Sequence, residues 1–175
     1  MSYKAMLAAH PRQGAVEWSG IRPQRRAVLS TPTEVRADSA SGLEGDHYSG
    51  KTNRQRQVTL IQREHLVVVS ALLGKSVAPE ILRRNLVVGG INLLALKGQP
   101  VQVGTAILKI TGACHPCSRI EEALGPGGYN AMRGHGGVTA EILEGGLIAL
   151  GDAVVPLQGD LFDQWTNPTQ GPLPD

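Results

Sequence analysis

Residues 98–111 read GQPVQVGTAILKIT and contain two strand-length apolar runs, at 100–103 and 106–111, each closely preceded by a glycine. Short apolar runs that contain β-branched residues and are bounded by glycine are typical of β-strands. Outward from this stretch the pattern recurs, with further runs at 57–61, 86–88, 138–143 and 148–155. We therefore expect a mostly β fold, closed or nearly closed into a barrel, with a few short helices.

Two short helices are predicted between the strands. Residues 64–73 have helical spacing of apolar residues and end at Gly74, a C-cap residue. A second helix is expected to begin at Pro79 and to end near Arg84. At the N-terminus, the apolar run 5–9 predicts an opening strand.

The remaining segments are predicted from their turn residues. Residues 38–53 and 127–137 are dense in glycine and polar residues and are expected to be loops, whereas 26–29 and 33–36 are candidate short strands. Residues 1–156 are expected to form one domain, and the stretch 157–175, which contains proline and glycine, a surface tail.

The composition excludes several classes of protein. Aromatic residues make up only 3 % of the 175 residues, so the core has to be built from Val, Leu, Ile and Ala. A net charge of +2 does not suit a nucleic-acid polymer, whereas the basic segment at 51–63 suits a small anionic ligand. The longest apolar stretch, near 66–73, is far too short to span a bilayer, and two cysteines do not form a disulfide framework. We expect a cytoplasmic protein with no membrane partner.

Both cysteines lie in the decapeptide at 112–121, GACHPCSRIE. Ser118 and Glu121 have the spacing of a capping box, so a helix is expected to begin here with Ser118 as its N-cap. Cys117 would then lie next to the partial positive charge of a helix N-terminus, which favours the thiolate over the thiol. The thiolate is the form of cysteine that attacks electrophiles and binds soft metals, so Cys117 is the main candidate for chemistry.

The C-x-x-C pattern of Cys114 and Cys117 leaves other interpretations open. A dithiol redox site is chemically reasonable, but thioredoxin-like proteins carry the motif after an early strand of a βαβ unit. A zinc site would lack two ligands at suitable spacing, and a buried, inert pair is the structural alternative. The glycine-rich loop 134–137 beside Arg133 presents backbone N–H groups that suit an oxyanion, although such loops are more often simple turns.

The chain resembles the MOSC domain, a family named for the C-terminal domain of molybdenum-cofactor sulfurases, in its small stand-alone bacterial form. The resemblance covers about residues 20–156, and its specificity lies in an ordered set of motifs. They are 42–47 (GLEGDH), 56–61 (RQVTLI), 83–88 (RRNLVV), 104–111, 111–117 (TGACHPC), 133–138 and 145–152.

The resemblance implies a barrel-like fold and a functional Cys117, which either ligates the molybdenum of a pterin cofactor or carries a persulfide. Some stand-alone relatives reduce N-hydroxylated compounds through the bound cofactor. Because the molybdopterin phosphate is a dianion, the resemblance assigns its contacts to arginines and to a close-approach loop. The candidate cofactor-binding residues are Arg56, Arg84, Asn85, Arg133, Gly136 and Gly137.

The resemblance also implies partners. A reductase would need a separate electron donor, and a sulfur carrier would need a cysteine desulfurase. No lysine of this chain lies in a Schiff-base context, so pyridoxal phosphate is not expected as its cofactor.

Overall fold

A computed structural model describes residues 2–24, 26–48 and 53–158 of the chain. These residues form ten strands, which are β1 (Gly14–Ser19), β2 (Glu34–Asp38), β3 (Gly42–Leu43), β4 (Val58–Gln62), β5 (Leu86–Gly89), β6 (Pro100–Val103), β7 (Ala106–Ala113), β8 (Val138–Glu144), β9 (Gly146–Ala149) and β10 (Ala153–Pro156). The same residues form four helices, α1 (Tyr3–Ala8), α2 (Arg63–Leu73), α3 (Ser118–Leu124) and α4 (Gly128–Met132), and 3-10 helices at Arg54–Arg56, Pro79–Leu82 and Leu93–Leu96.

Seven of the described strands close a barrel in the order β1-β10-β6-β7-β8-β4-β5, and β5 pairs back with β1. The predicted mostly β, closed barrel is thereby confirmed. Within it, β4 and β5 run parallel and the other neighbouring pairs run antiparallel. Parallel neighbours need a long crossover, which α2 and the following 3-10 helix supply. A second sheet has the order β3-β2-β9.

The core lies on both faces of β4 and β5. Leu60 and Leu86 belong to a cluster of buried Val, Leu, Ile and Ala side chains, as the low aromatic content predicts. The adjacent Ile61 and Val87 point the other way, into a second cluster with apolar residues of α2, α3 and α4. Because successive side chains of a strand face opposite sides, apolar residues on both faces of these strands are buried.

The predicted opening strand at 5–9 is wrong, because this segment belongs to helix α1. The Ser2 hydroxyl accepts a hydrogen bond from the backbone N–H of Ala5 at 3.2 Å, which caps the helix. A five-residue apolar run does not distinguish a strand from a short helix, and its Ala, Met and Leu residues are good helix formers. The strand predicted at 26–29 is also absent, since Arg26 has a positive φ of 67° that interrupts an extended chain.

Other boundaries differ in ways that the turns explain. The single run 148–155 is divided between β9 and β10, which belong to different sheets, because the chain turns at Gly151 with a φ of 89°. The expected loop at 127–137 contains helix α4, and the loop at 38–53 contains β3. The helix expected at 64–73 is confirmed as α2, with its left-handed C-cap at Gly74, and the strand expected at 33–36 is confirmed as β2.

The helix expected from Pro79 is a 3-10 helix and ends at Leu82, two residues earlier than predicted. Of the tail expected at 157–175, the part beyond Gln158 lies outside the residues that the structure describes. Over the described ranges, no helix combines the length and the apolar character needed to cross a membrane.

Candidate cofactor-binding site

The two cysteines lie in the segment that joins β7 to α3, and their exposures differ. Cys114 is 3 % exposed and its backbone N–H donates to the carbonyl of Gly137 at 2.8 Å, whereas Cys117 is exposed. Exposure alternates along the segment, with Cys114 and Pro116 buried and His115 and Cys117 exposed. In an extended segment alternate residues face opposite sides, so only Cys117 presents its sulfur to a partner.

The predicted capping box at Ser118 is wrong by one residue. Cys117 itself is the N-cap of α3, with an extended backbone and no side-chain cap hydrogen bond, and Ser118 is the first residue of the helix. The Glu121 carboxylate, which a capping box would direct towards the start of α3, instead accepts from the backbone N–H groups of Gly127 and Tyr129 at 2.9 and 2.6 Å. The hydrogen bonds from Tyr129 and Gly127 lower the pKa of Glu121 and fix the turn that begins α4.

Arg84 is the most deeply buried charged residue of this region, at 6 % exposure. Its Nε donates to the carbonyl oxygen of Gly136 at 2.7 Å and its Nη1 to that of Leu82 at 2.9 Å. Its Nη2 is buried without a hydrogen-bond partner among the described residues. A buried guanidinium nitrogen without an acceptor is unfavourable, so this atom is a candidate donor to a ligand.

The electrostatic surroundings of Arg84 include both cysteines. Burial lowers the pKa of Arg84, the charges of Cys114 and Cys117 oppose that shift, and Arg56 and Arg83 reinforce it. The Nη2 of Arg56 lies 3.8 Å from the Sγ of Cys114. Arg56 and Arg84 therefore both lie near the buried cysteine, and their positive charges favour an anionic ligand.

The loop before β8 approaches this cluster closely because two of its residues are glycines. A Cβ at Gly136 would overlap the carbonyl oxygen of Cys114 and would lie 3.5 Å from the Nη2 of Arg84. Gly137 has a φ of 84°, and a Cβ there would overlap the carbonyl oxygen of Leu60. These glycines let the loop pack against the backbone of Cys114 and Leu60 beside Arg84, and their role towards a cofactor stays a prediction.

Asn85 connects the barrel to the motif at 42–47. Its side-chain oxygen accepts from the backbone N–H and the hydroxyl of Thr59 at 3.0 and 2.9 Å. Its side-chain nitrogen donates to the carbonyl of Gly20 at 3.3 Å and to the Oδ2 of Asp46 at 3.1 Å. The Oδ1 of Asp46 accepts from the backbone N–H of Arg22 at 2.8 Å, so Asn85 positions the residues around it.

Four arginines, Arg22, Arg56, Arg83 and Arg84, line one cavity of about 190 Å³, which we call the cofactor cavity after the occupant expected for it and not shown here. The other polar residues in its wall include Asp46, His47, Tyr48, Gln57, Thr59 and Asn85. The structure thus brings together Arg56, Arg84 and Asn85 from the predicted site. Cys117 is not among the residues that line this cavity.

Arg133 lies elsewhere. It lines a separate cleft of about 840 Å³ together with His115, Pro116, Tyr129, Asn130 and Gly134. Arg133 and the arginines of the cofactor cavity therefore line different cavities. The Arg54 side chain already has partners in the protein: it forms an ion pair with Glu141 at 3.5 Å and donates to the carbonyl of Ile142 at 3.2 Å.

The sequence motifs contain some of the other cavity residues and miss others. Asp46 and His47 lie in the motif at 42–47, and Arg83 precedes Arg84 in the motif at 83–88. Arg22 lies outside every motif, and only the tertiary fold brings it beside Asp46. No set of three or more His, Cys, Asp or Glu side chains converges anywhere in the described ranges.

Comparisons with known proteins agree with this architecture. YuaD from Bacillus subtilis has a TM-score of 0.71 and 19 % identity, over 84 % of this chain and 98 % of that one. YiiM from Geobacillus stearothermophilus has a TM-score of 0.66 and 16 % identity, over 89 % of this chain and 85 % of that one. YiiM from Escherichia coli has a TM-score of 0.64 and 17 % identity, over 85 % of this chain and 71 % of that one.

At these identities the likeness to solved structures concerns the fold. No curated protein matches the chain. The family model described as MOSC domain matches residues 44–155, which is more than half of the sequence. The chain therefore belongs to the MOSC domain family.

Proposed function

We propose that this protein binds the molybdenum cofactor, with the Cys117 thiolate as a metal ligand, and reduces N-hydroxylated compounds. The observation that carries the proposal is the cofactor cavity, which is lined by four arginines, among them the buried Arg84 with its one unpartnered nitrogen. Family membership supports a role related to the molybdenum cofactor. The reduction itself and its substrate class are the further step that we propose.

The residues fit such a cofactor in two respects. A phosphate dianion matches guanidinium groups, which donate paired hydrogen bonds to oxyanions, and it would satisfy the free Nη2 of Arg84. Molybdenum prefers soft sulfur ligands, and Cys117 is an exposed thiol at the start of α3. Among the described residues, no three His, Cys, Asp or Glu side chains lie close enough to bind one metal ion. A bound metal would therefore take most of its ligands from the cofactor.

The chain's own residues would bind and orient. Arg22, Arg56 and Arg83 would hold the anionic group, and Asn85 and Asp46 would keep the backbone of Arg22 in place. Cys117, which is exposed and does not line the cofactor cavity, would supply one sulfur ligand. The chemistry supplied by the bound group would be two-electron exchange at molybdenum, with electrons from a separate donor.

The deciding experiment is metal analysis of protein from a host that makes the cofactor. We expect molybdenum in the native protein and in Cys114→Ser, and its loss in Cys117→Ser. Cys114→Ser is the matched control because it changes the neighbouring thiol without touching the exposed one. Equal molybdenum in native protein and Cys117→Ser would overturn the assignment of the ligand.

The proposed activity is tested separately. Molybdenum-loaded protein should reduce an amidoxime to the amidine with an artificial low-potential electron donor, and Cys117→Ser should be inactive. Retained activity in Cys117→Ser, or no reduction by loaded native protein of amidoximes and hydroxylamines, would contradict the proposed reaction.

The exposure of Cys117 favours a second candidate, a non-catalytic sulfur carrier. Its thiolate would attack the outer sulfur of a desulfurase persulfide, which leaves a persulfide on Cys117 and a thiolate on the desulfurase. Mass spectrometry after incubation with a cysteine desulfurase and cysteine should then show one added sulfur on Cys117. An unmodified Cys117 would contradict this candidate.

The dithiol candidate is less favoured, because Cys114 is buried and Cys117 is exposed. It predicts that Cys114→Ser abolishes activity, whereas the two candidates above need only Cys117. An active Cys114→Ser variant would reject it.

A further inference from the structure

We propose that a second cavity, beside the cofactor cavity, binds the phosphoryl group, or a comparable dianion, of an organic molecule other than the cofactor. This cavity has a volume of about 480 Å³ and shares Arg22 and Arg83 with the cofactor cavity. We call it the side cavity. The inference extends the proposed function and depends on it only for the occupant of the neighbouring cavity.

Charge is unbalanced in the side cavity. Four arginines line it, Arg22, Arg26, Arg83 and Arg119, against two glutamates, Glu80 and Glu122. Within the described residues, none of these arginines has a carboxylate oxygen within the 4.0 Å of an ion pair. The excess of two positive charges matches a dianion.

The arginines are held near one another despite their repulsion. The Nη2 of Arg22 donates to the backbone carbonyl of Glu80 at 3.0 Å, which fixes its side chain at the 3-10 helix. Burial and the charge of Arg83 lower the pKa of Arg22, and Asp46 opposes this shift. A bound anion would relieve the repulsion between Arg22 and Arg83.

Backbone strain is concentrated at the same place. Arg26 and Arg83 have φ values of 67° and 58°, and among the described residues they are the non-glycine residues with positive φ. Both line the side cavity. Left-handed conformations are unfavourable for residues with a Cβ and are found preferentially at functional sites.

The apolar part of the wall indicates an organic ligand. Ala27, Ile81 and Ala123 lie among the charged residues of the side cavity. Inorganic phosphate would leave these side chains uncovered, whereas the carbon skeleton of a phosphate ester would bury them. The guanidinium groups would donate paired hydrogen bonds to the phosphoryl oxygens.

Binding of phenyl phosphate, measured by titration calorimetry at low ionic strength, tests the proposal. We expect saturable binding, tighter than that of inorganic phosphate, in protein from a host that lacks the cofactor and in cofactor-loaded protein. The double variant Arg26→Gln/Arg119→Gln should weaken binding about tenfold or more, because each lost guanidinium removes charge-assisted hydrogen bonds. These two arginines line the side cavity and not the cofactor cavity.

One variant serves as the control. Lys97→Gln removes one positive charge from an exposed residue that lines neither cavity. It should bind phenyl phosphate like the native protein. Failure of native protein to bind, or equal binding by the double variant and the native protein, would overturn the proposal.

Loss of binding when the cofactor is loaded would assign the side cavity to the cofactor itself and would also overturn it. The measurement on cofactor-free protein does not depend on molybdenum. Its result is therefore separate from the metal analysis that tests the proposed function.

Discussion

The Nε of Arg84 donates to the carbonyl oxygen of Gly136 at 2.7 Å, and this contact joins the end of the Pro79–Leu82 helix to the loop before β8. The Nη1 of the same guanidinium holds the carbonyl of Leu82. One buried side chain therefore supports two segments of the site and still has a free donor, Nη2. Its structural and its proposed binding roles should be separable by mutation.

Arg84→Lys should lower the free energy of unfolding by about 1–3 kcal/mol, because lysine does not reproduce the paired hydrogen bonds and leaves a buried carbonyl unsatisfied. Urea denaturation measures this change. Arg36→Lys is the matched control, since Arg36 is exposed and its contact with Glu44 is 4.0 Å long, and it should be within about 0.5 kcal/mol of the native protein. Equal stability of the two variants would contradict a structural role for Arg84.

Gly136→Ala should destabilise the protein by about 1–3 kcal/mol, because the added methyl group overlaps the carbonyl of Cys114 and the loop has to shift. Gly112→Ala offers a control on β7: a Cβ there meets nothing within 4 Å and its φ is not positive. Thermal denaturation of the two variants compares them. A Gly136→Ala protein as stable as Gly112→Ala would show that the close approach is unimportant.

Asn85→Asp should be destabilising at neutral pH and less so in acid. The substitution replaces the donor to Asp46 Oδ2, 3.1 Å away, with a second carboxylate, so two negative charges would face each other. Uptake of one proton would relieve this repulsion, and the stability difference from native protein should shrink as the pH falls from 7 towards 4. Urea midpoints across this range measure it, and a difference independent of pH would contradict the contact.

His65 should make stability depend on pH. Burial lowers its pKa from the ordinary value of 6.5, His135 lowers it further, and Glu64 opposes the shift. The rings of His65 and His135 meet edge to face, with centroids 5.2 Å apart. Since the unfolded chain takes up a proton at His65 more readily, this contribution to stability is present above pH 6.5 and is lost as the pH falls towards the folded pKa.

His65→Gln tests this sign, because glutamine does not titrate. Its melting temperature should fall less than that of the native protein between pH 7.5 and 5.5. His115→Gln changes an exposed histidine and should keep the native dependence. If the melting temperatures of His65→Gln and native protein change equally with pH, His65 does not cause the pH dependence.

Sequence patterns were sufficient for the barrel but not for every element. Strand runs such as 100–103 and 106–111 were predicted correctly, because glycine turns and β-branched residues act locally. The predicted opening strand and the predicted Ser118 N-cap were wrong. The Ser2 hydroxyl caps helix α1, and the Glu121 carboxylate accepts from the N–H of Gly127, so both outcomes depend on which of several nearby hydrogen-bond partners is chosen. Such competition leaves no periodicity in the sequence.

The candidate site was predicted in part. The sequence identified Cys117, Arg56, Arg84 and Asn85, and their functional roles stay predictions. It grouped Arg133 with Arg84, whereas the structure places them at different cavities. Arg22 was not identified, because its approach to Asp46 joins segments that no motif connects.

By itself the sequence determined the strand-rich barrel, the aliphatic core and the position of the cysteine pair between a strand and a helix, since each follows from short-range preferences of the backbone and from burial. Only the tertiary structure decided which cysteine is exposed and which arginines share a cavity. These depend on barrel closure and on the crossover between β4 and β5, which bring Arg84 beside Gly136 across more than fifty residues. Proximity between distant segments is a property of packing, and local sequence does not encode it.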